Sequence, residues 1–460
     1  MTFNSIFNSN ETHPFDFIGI SIPQGTQALA IVILDNISRN YSDVDRPIII
    51  LGHSLPSNSP LEFLTNYPWA IVVHGWGEMA LCDLVRGKPL NNIPNISFVT
   101  NTGSTTNSPK WSLLICEPKR INYSFFLRVE ASRGCSYNHC TFCLRPVLRS
   151  NIFHQQVPLK EVLAVIGSLK EAGVRQFTFT DEDFIGEDLS RALEIAKGLK
   201  EIGDLNFSIS CMADDVYRPS AKAEENKLRY QIFHALRDAG LSMVYCGAET
   251  FSNTQNKRYT KRTNVEGMIQ GINLIKGLAI NMEIGFILFD PFVVLDEIKE
   301  NINVLLETGF WEDVKRLFSS LNVYKNTPYE NWIEKKKLLK RFDLDLLVYE
   351  WDFENKDVNN VFLKCREWER QHYKIYAALR HVGRTDFKNN YAARYLKILR
   401  YQDLLFLQKV VANKDKNSIL EEMYVMRLNS LKQLKQSLLN SRKLSEAGTI
   451  LLHELSQIQT

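Results

Sequence analysis

Between residues 133 and 143 the chain reads RGCSYNHCTFC, which places Cys135, Cys140 and Cys143 on one short stretch. A glycine entering the run and an aromatic residue beside the last cysteine are typical of a turn that gathers three thiolates on one side. Thiolates are soft ligands that suit iron-sulfur clusters. A 4Fe-4S cluster needs four ligands, so three local cysteines leave one iron open to bind another molecule. The spacing therefore predicts an enzyme rather than an electron-transfer protein.

A structural zinc site is the alternative interpretation, because zinc binds Cys3His sets and His139 lies inside the run. His139 directly precedes Cys140, so both reach one tetrahedral ion only with strain, and no second CxxC or CxxH pair lies nearby. The other five cysteines occur singly, as is typical of buried, inert thiols. Eight cysteines in 460 residues, with no secretory segment, favour a reduced, cytoplasmic chain.

The cysteine run resembles that of the radical S-adenosylmethionine (SAM) superfamily. The usual run has three residues between its first two cysteines and two between the last pair, whereas residues 136–139 make the first gap four residues long here. The resemblance implies that Cys135, Cys140 and Cys143 hold a 4Fe-4S cluster and that SAM chelates its open iron. It also implies that Phe142, beside the last cysteine, contacts the cofactors.

Strand and helix patterns alternate from residue 125 past residue 320. The first strand, 125–131, leads into the cysteine run, which places the run where parallel barrels assemble their active sites. About six strands are predicted, and this number matches the partial (β/α)6 barrel of the radical SAM core. The predicted fold class is thus α/β, with the core barrel at residues 118–330.

Three further motifs at predicted strand ends match the SAM contacts of the superfamily. Asp181 and Glu182 follow the second strand, where the family places acceptors for the methionine ammonium of SAM; a buried cation needs such partners. Glu249, in Gly-Ala-Glu-Thr, matches a carboxylate that contacts SAM. Gly285 begins the run GFILFDP, whose family counterpart packs near the adenine. A helix cap is the alternative role of the acidic turn.

The first hundred residues predict a parallel sheet covered by helices on both faces. This segment, assigned to residues 1–105, resembles the Rossmann-like cobalamin-binding domain that precedes many radical SAM cores. The resemblance rests on the turns at Gly19, Gly52 and Gly75. The first strand of the usual domain has no room before Phe15, so the domain is predicted to be truncated. The Asp-x-His-x-x-Gly cobalt-ligand motif is absent, and cobalamin is a candidate cofactor without a histidine ligand.

Residues 101–110 have the composition of a linker, and residues 331–460 predict a helical extension. The basic turn 259–262 is interpreted as solvated, although it could face the substrate. No apolar run reaches the length of a membrane span. Acidic residues interleave with the basic runs, which argues against nucleic acid.

The resemblance implies an enzyme that reductively cleaves SAM to a 5′-deoxyadenosyl radical. The leading hypothesis is cobalamin-dependent methylation of an unactivated carbon in a natural product or peptide. Cobalamin-independent modification of a ribosomal peptide, by cross-linking, epimerisation or excision, is the first alternative. A non-enzymatic zinc or redox-sensing protein is the second. The implied partners are a small-molecule or peptide substrate and an external electron donor such as flavodoxin or ferredoxin.

Overall fold

The computed structural model describes residues 15–108, 127–144, 154–370, 372–385, 391–412, 416–440 and 445–457. Its N-terminal part is a five-stranded sheet with helices between the strands. The strands are β1 (Phe17–Ser21), β2 (Ile48–Gly52), β3 (Ala70–Val73), β4 (Ile96–Thr100) and β5 (Gly103–Thr106). The helices are α1 (Gln27–Asn40), α2 (Ser54–Asn58), α3 (Pro60–Asn66) and α4 (Glu78–Val85).

Strands β1, β2 and β3 run parallel, as the sequence predicts, and β4 and β5 continue the sheet antiparallel. The linker prediction for residues 101–110 is wrong at β5. Thr100 pairs with Gly103 across a short turn, and the β-branched threonines that follow favour an extended edge strand. The predicted boundary between residues 105 and 118 falls largely on residues 109–126, outside the described residues.

The central part is a parallel sheet in the order β12-β11-β10-β9-β6. Its strands are β6 (Leu127–Val129), β9 (Gln176–Phe179), β10 (Asn206–Met212), β11 (Leu241–Glu249) and β12 (Asn281–Phe286). Two further strands, β7 (Ser132–Gly134) and β8 (His154–Gln156), form a separate antiparallel pair. The helices are α5 (Leu159–Glu171), α6 (Leu189–Ile202), α7 (Ala223–Asp238), α8 (Asn253–Arg258), α9 (Val265–Gly277) and α10 (Leu295–Thr308).

The predicted sixth barrel strand is not a full strand. Single parallel bridges join Ile284 to Val314 and Phe289 to Ser320, so the segment after α10 follows the barrel edge without a regular ladder. The residues expected to close the barrel instead form β13 (Val323–Tyr324), which pairs with a strand further along the chain. The fold class prediction, an α/β barrel core with a Rossmann-like N-terminal sheet, is confirmed.

The C-terminal part is mainly helical, as predicted, but begins with two strands that the sequence analysis missed. These are β14 (Leu339–Asp343) and β15 (Val348–Trp351), which form an antiparallel sheet with β13 in the order β13-β15-β14. The helices are α11 (Pro328–Lys335), α12 (Lys356–Arg370), α13 (Tyr373–Thr385), α14 (Tyr391–Ala412), α15 (Lys416–Leu439) and α16 (Glu446–Ser456). Buried residues of α12, α14 and α15 join the core of the barrel.

The turn between β14 and β15 reaches into the N-terminal sheet domain. Leu347 is 4% exposed and belongs to the apolar core between that sheet and α1. The carboxylate of Asp345 accepts a hydrogen bond of 2.7 Å from the amide of Gln27, the first residue of α1, and so caps this helix from a distant part of the chain. The hairpin therefore fastens the N-terminal domain to the rest of the molecule.

In the part of the chain that the structure covers, no helix combines the length and apolar character needed to cross a membrane.

The hairpin contact yields a stability prediction. Leu347→Ala should destabilise the N-terminal domain by about 2–5 kcal/mol, because it leaves a cavity in the core beside α1. Leu346 provides the matched control, since it is 48% exposed and its truncation should change stability by less than about 0.5 kcal/mol. Limited proteolysis within residues 15–108 and urea unfolding would measure the difference. Equal behaviour of the two variants would contradict a structural role for Leu347.

Candidate active site

The cysteine loop leaves the barrel at the carboxyl end of β6 and passes through β7 before Cys135. Strand β6 pairs with β9 in parallel, so the exits of both strands lie at the same edge of the sheet. The sequence prediction that the loop and the motif at residues 181–183 share one edge is therefore confirmed by the topology. Open α/β sheets and barrels bind ligands at this edge.

Asp181 ties the loop to the barrel where β6 ends. Its side chain is 2% exposed and accepts hydrogen bonds from the amide of Ala131 at 3.0 Å and from the hydroxyl of Ser132 at 2.6 Å. Burial raises the pKa of Asp181 to about 7, although both hydrogen bonds oppose that shift. Both carboxylate oxygens are engaged within the protein, which assigns Asp181 a positioning role for the loop.

The next two acidic residues hold the following part of the loop. Oε2 of Glu182 accepts a hydrogen bond of 2.8 Å from the amide of Gly134, directly before Cys135. Oδ2 of Asp183, which is fully buried, accepts one of 2.6 Å from the hydroxyl of Ser136. Three consecutive carboxylates thus contact residues 131–136 in order along the chain, and the acidic turn does more than cap a helix.

The second half of the loop is anchored to the segment that follows α8. The amide of Thr141 donates to the carbonyl of Tyr259 at 3.2 Å, and its hydroxyl donates to the carbonyl of Arg258 at 2.9 Å. The ring of Phe142 packs edge-on against the buried ring of Tyr259, with centroids 5.1 Å apart. Phe142, predicted to contact the cofactors, is thereby fixed in an aromatic contact beside Cys143.

The three cysteines are reduced and half-buried. Burial raises the pKa of Cys135 to about 12, and the amides of Tyr137 and Asn138 oppose the shift by donating to its sulfur. Burial likewise raises the pKa of Cys140 to about 11, opposed by the ammonium of Lys261. Both thiols are therefore held as neutral groups until a metal displaces their protons.

The described residues contain no preformed set of three or more His, Cys, Asp or Glu side chains arranged to hold a metal ion. The donor set nevertheless fits an iron-sulfur cluster, because three cysteine thiols share one anchored loop with two amide donors and a nearby ammonium. His139 is exposed and packs edge-on against the ring of Tyr137 at 5.3 Å between centroids, on the outside of the loop.

Glu249 ends β11 in a strained conformation. Its φ of 71° lies in the left-handed region, and the pairing with β12 shifts register between Gly247 and Glu249. Non-glycine residues in this region are uncommon and cluster at functional sites. Burial raises the pKa of Glu249, and the charge of Lys261 opposes that rise. The bulge therefore directs a half-buried carboxyl group towards an ammonium.

Lys261 is the functional candidate that the sequence analysis missed by interpreting residues 259–262 as a solvated turn. Its ammonium donates to the carbonyl of Gly247 at 2.9 Å and interacts with Cys140 and Glu249. Burial alone would lower the pKa of Lys261, but these two groups raise it above its ordinary value. The neighbouring Arg262 guanidinium lies 4.9 Å from the ring centroid of Tyr137. A basic pair in the loop after α8, the first helix to follow the strand-end carboxylate Glu249, was the signal available in the sequence.

Gly285 has a packing role. A Cβ atom at this position would lie 2.6 Å from the hydroxyl of Tyr245 on the neighbouring strand. Tyr245, Gly247 and Glu249 share one face of β11, because alternate residues of a strand point the same way. The missing side chain of Gly285 thus makes room for the tyrosine beside the site.

Two histidines lie at strand ends of the N-terminal sheet, and both have engaged ring nitrogens. Nδ1 of His53 accepts from the amide of Ser54 at 2.7 Å. Nε2 of His74 lies 2.6 Å from the hydroxyl of Ser97, and burial lowers the pKa of this half-buried ring. Neither ring presents a free lone pair at its hydrogen-bonded nitrogen.

Comparison with known proteins places these features in context. Residues 129–305 match the family model described as the radical SAM superfamily. A curated relative, 4'-phospho-dehydrooxetanocin synthase of Priestia megaterium, is 28% identical over 438 residues. The alignment covers 80% of this chain and 59% of the relative, so the chain spans less than two thirds of that protein's length.

Two solved structures share the fold. OxsB, described as a cobalamin-dependent S-adenosylmethionine radical enzyme with aqua-cobalamin and S-adenosylmethionine bound, superposes with a TM-score of 0.75 at 23% identity, covering 96% of this chain and 70% of OxsB. The radical S-adenosylmethionine methyltransferase TsrM of Kitasatospora setae superposes with a TM-score of 0.56 at 15% identity, covering 70% of this chain and 65% of TsrM. The predicted cofactors match those named for these structures, including the [4Fe-4S] cluster and cobalamin of TsrM.

Glu182 provides a test of the acidic anchor. Glu182→Ala removes the acceptor of the Gly134 amide, a charge-assisted hydrogen bond of about 1.5–3 kcal/mol, and should lower the iron and sulfide retained per chain after anaerobic reconstitution. Glu201→Ala, the same change on the exposed face of α6, should leave both unchanged. Full iron and sulfide in Glu182→Ala, with weakened SAM binding, would instead make Glu182 a direct SAM ligand.

Proposed function

We propose that this chain, whose residues 129–305 match the radical SAM superfamily model, reductively cleaves SAM and methylates an unactivated carbon with the help of cobalamin. The observation that supports reductive cleavage of SAM is the anchored cysteine loop, with Lys261 and Glu249 beside Cys140. The cobalamin-dependent half is supported by the N-terminal sheet domain and by the likeness to OxsB.

In this proposal Cys135, Cys140 and Cys143 would hold a 4Fe-4S cluster at the barrel edge, with one iron left for SAM. When bound, the reduced cluster supplies the electron that cleaves SAM to a 5′-deoxyadenosyl radical, and cobalamin supplies the transferred methyl group. The protein residues bind and orient these groups and exclude water from them. Asp181, Glu182 and Asp183 keep the loop in place while the thiols lose their protons.

Glu249 and Lys261 are proposed to bind the methionine end of SAM. A carboxylate can accept from the ammonium of SAM, and an ammonium can pair with its carboxylate. The two side chains already interact with each other, so they offer both partners at one place next to Cys140. Glu182, which accepts from the amide of Gly134, is proposed to contact the SAM ammonium as well. Gly285 and Phe142 would contribute to the apolar wall beside the site.

Cobalamin is proposed to lie on the turns at the carboxyl ends of β1, β2 and β3, without a protein ligand to cobalt. The engagement of His53 by Ser54 and of His74 by Ser97 supports this, because a ligating imidazole needs a free lone pair. The proposed partners are a small-molecule or peptide substrate and an external electron donor such as a flavodoxin or ferredoxin.

The cluster assignment has a direct test. Cys135→Ala, Cys140→Ala and Cys143→Ala should each lose the visible charge-transfer absorption of the reconstituted protein and all SAM cleavage, because each removes one of three ligands. Cys82→Ala, which changes a half-buried cysteine of α4, should keep both. A full cluster in any one of the three loop variants would overturn the assignment, and zinc in place of iron would favour a structural metal site.

The corrinoid assignment is tested by adding hydroxocobalamin during anaerobic reconstitution, removing the excess and measuring corrinoid per chain. About one corrinoid should remain, and His53→Ala should retain it with an unchanged visible spectrum, because the cobalt has no imidazole ligand. A changed spectrum in His53→Ala would identify this histidine as a ligand. Loss of all corrinoid from a protein with a full cluster would favour cobalamin-independent modification of a peptide over methylation.

A further inference from the structure

Arg133, two residues before Cys135, joins the cysteine loop to the N-terminal domain. Its Nη2 atom lies 2.5 Å from Oε1 of Glu78, and its Nε atom lies 2.5 Å from Oε2 of Glu130. The guanidinium also lies 4.9 Å from the ring centroid of Trp76. One side chain of the cysteine loop therefore contacts two residues of the turn that begins α4. These three residues, Trp76, Glu78 and Arg133, are called the interdomain junction below.

Alternation along β7 explains how the junction reaches the loop. Ser132 points to Asp181 in the barrel, and Arg133 points to the opposite side, towards Glu78. The next residue, Gly134, is held by Glu182 through its amide. Ser132 and Gly134, the neighbours of Arg133, are thus the residues that the barrel holds. A displacement of the Arg133 guanidinium therefore acts on the backbone segment that leads to Cys135.

On the N-terminal side, the junction belongs to a turn at the ligand-binding edge of the sheet. Strand β3 ends at Val73, the turn contains Gly75 with a φ of 56°, and α4 begins at Glu78. A molecule lying on the carboxyl ends of β1, β2 and β3 would contact this turn, because the same edge carries it. Its presence would bias the position of the first residues of α4.

The ion pair has room for a second arrangement. The side chains of Arg133 and Glu78 are only 16% and 28% exposed, so solvent screens their interaction weakly. Oε2 of Glu78 is buried and, within the described residues, has no hydrogen-bond partner. Since a guanidinium can bind both oxygens of a carboxylate, a small shift of α4 would convert the single contact into a bidentate one.

We infer that the interdomain junction couples ligand binding on the N-terminal sheet to SAM binding at the cysteine loop, with Arg133 as a positioning residue. The inference rests on the proposed function for the identity of the two ligands. Binding of a corrinoid would favour the closer arrangement of Glu78 and Arg133, and this arrangement would order Gly134 and Cys135 for SAM. Thermodynamic linkage requires that SAM raise corrinoid affinity by the same factor.

The experiment measures the SAM dissociation constant of the full-length protein with an oxidised cluster, with and without saturating hydroxocobalamin, by equilibrium dialysis. The parent protein should bind SAM about fivefold or more tightly with the corrinoid present, the lower end of typical coupling factors. Glu78→Gln keeps the shape of the side chain and removes its charge. In this variant the ratio of SAM dissociation constants without and with the corrinoid should fall to between about one and two, while the cluster content stays unchanged.

Asp204→Asn is the matched control, because it neutralises the acid of an exposed ion pair with Arg175 at the opposite end of the barrel strands. This variant should keep the full factor. If the parent protein binds both ligands and its SAM dissociation constant is the same with and without the corrinoid, the coupling is overturned and the proposed function stays intact. An undiminished factor in Glu78→Gln would also overturn it. Failure of the parent protein to bind the corrinoid would overturn the coupling together with the corrinoid assignment.

Discussion

The hydrogen bonds that three consecutive carboxylates accept from residues 131–136 are the constraint on which the site depends. The loop that carries the three thiols pairs with β8 over residues 132–134 only, so its other amides and its hydroxyls need other acceptors. Asp181, Glu182 and Asp183 supply them from the exit of the adjacent parallel strand. The pairing of β6 with β9 therefore decides where Cys135 lies, and the thiols need not define the loop by themselves.

The anchors at the other end of the loop explain why cationic groups surround it. Thr141 and Phe142 are held by residues 258 and 259, and this brings Lys261 and Arg262 over the loop. Arg133 adds a third cationic group from the opposite side. A thiolate-bound cluster carries negative charge, so cations beside it lower the cost of removing the thiol protons. The charges of the loop surroundings are thus complementary to the chemistry that its cysteines suggest.

The sequence was sufficient to predict the elements whose signal is local. The strands of the barrel and of the N-terminal sheet appear as apolar runs bounded by turn residues. Such runs predict strands at 15–22, 47–51, 69–73, 176–180 and 207–211, and β1, β2, β3, β9 and β10 lie within about two residues of these limits. The cysteine spacing and the position of Glu249 after β11 are equally local. These features needed no knowledge of which strands are neighbours.

Other features depend on contacts between distant parts of the chain. The direction of Lys261 follows from the turn at Thr260, whose φ of 54° a sequence pattern does not report. Strand β14 contains Lys340 and Arg341, which also suit an amphipathic helix. Only the pairing of β14 and β15 with each other and with β13, and the contact of their turn with α1, make these residues extended. The side chains of Asp181 and Glu182 point towards the loop and not towards solvent or a helix amide. This direction likewise depends on the register in which the strands pair.

The cap that Asp345 places on α1 has a consequence for synthesis on the ribosome. Gln27 and Asp345 are separated by 318 positions, and translation adds about 5–20 residues per second. The N-terminal sheet therefore emerges on the order of half a minute before the acid that caps its first helix and the leucine that completes its core. During that interval the newly synthesised domain exposes apolar surface of the kind that chaperones bind. The domain reaches its full stability only after the hairpin has been synthesised.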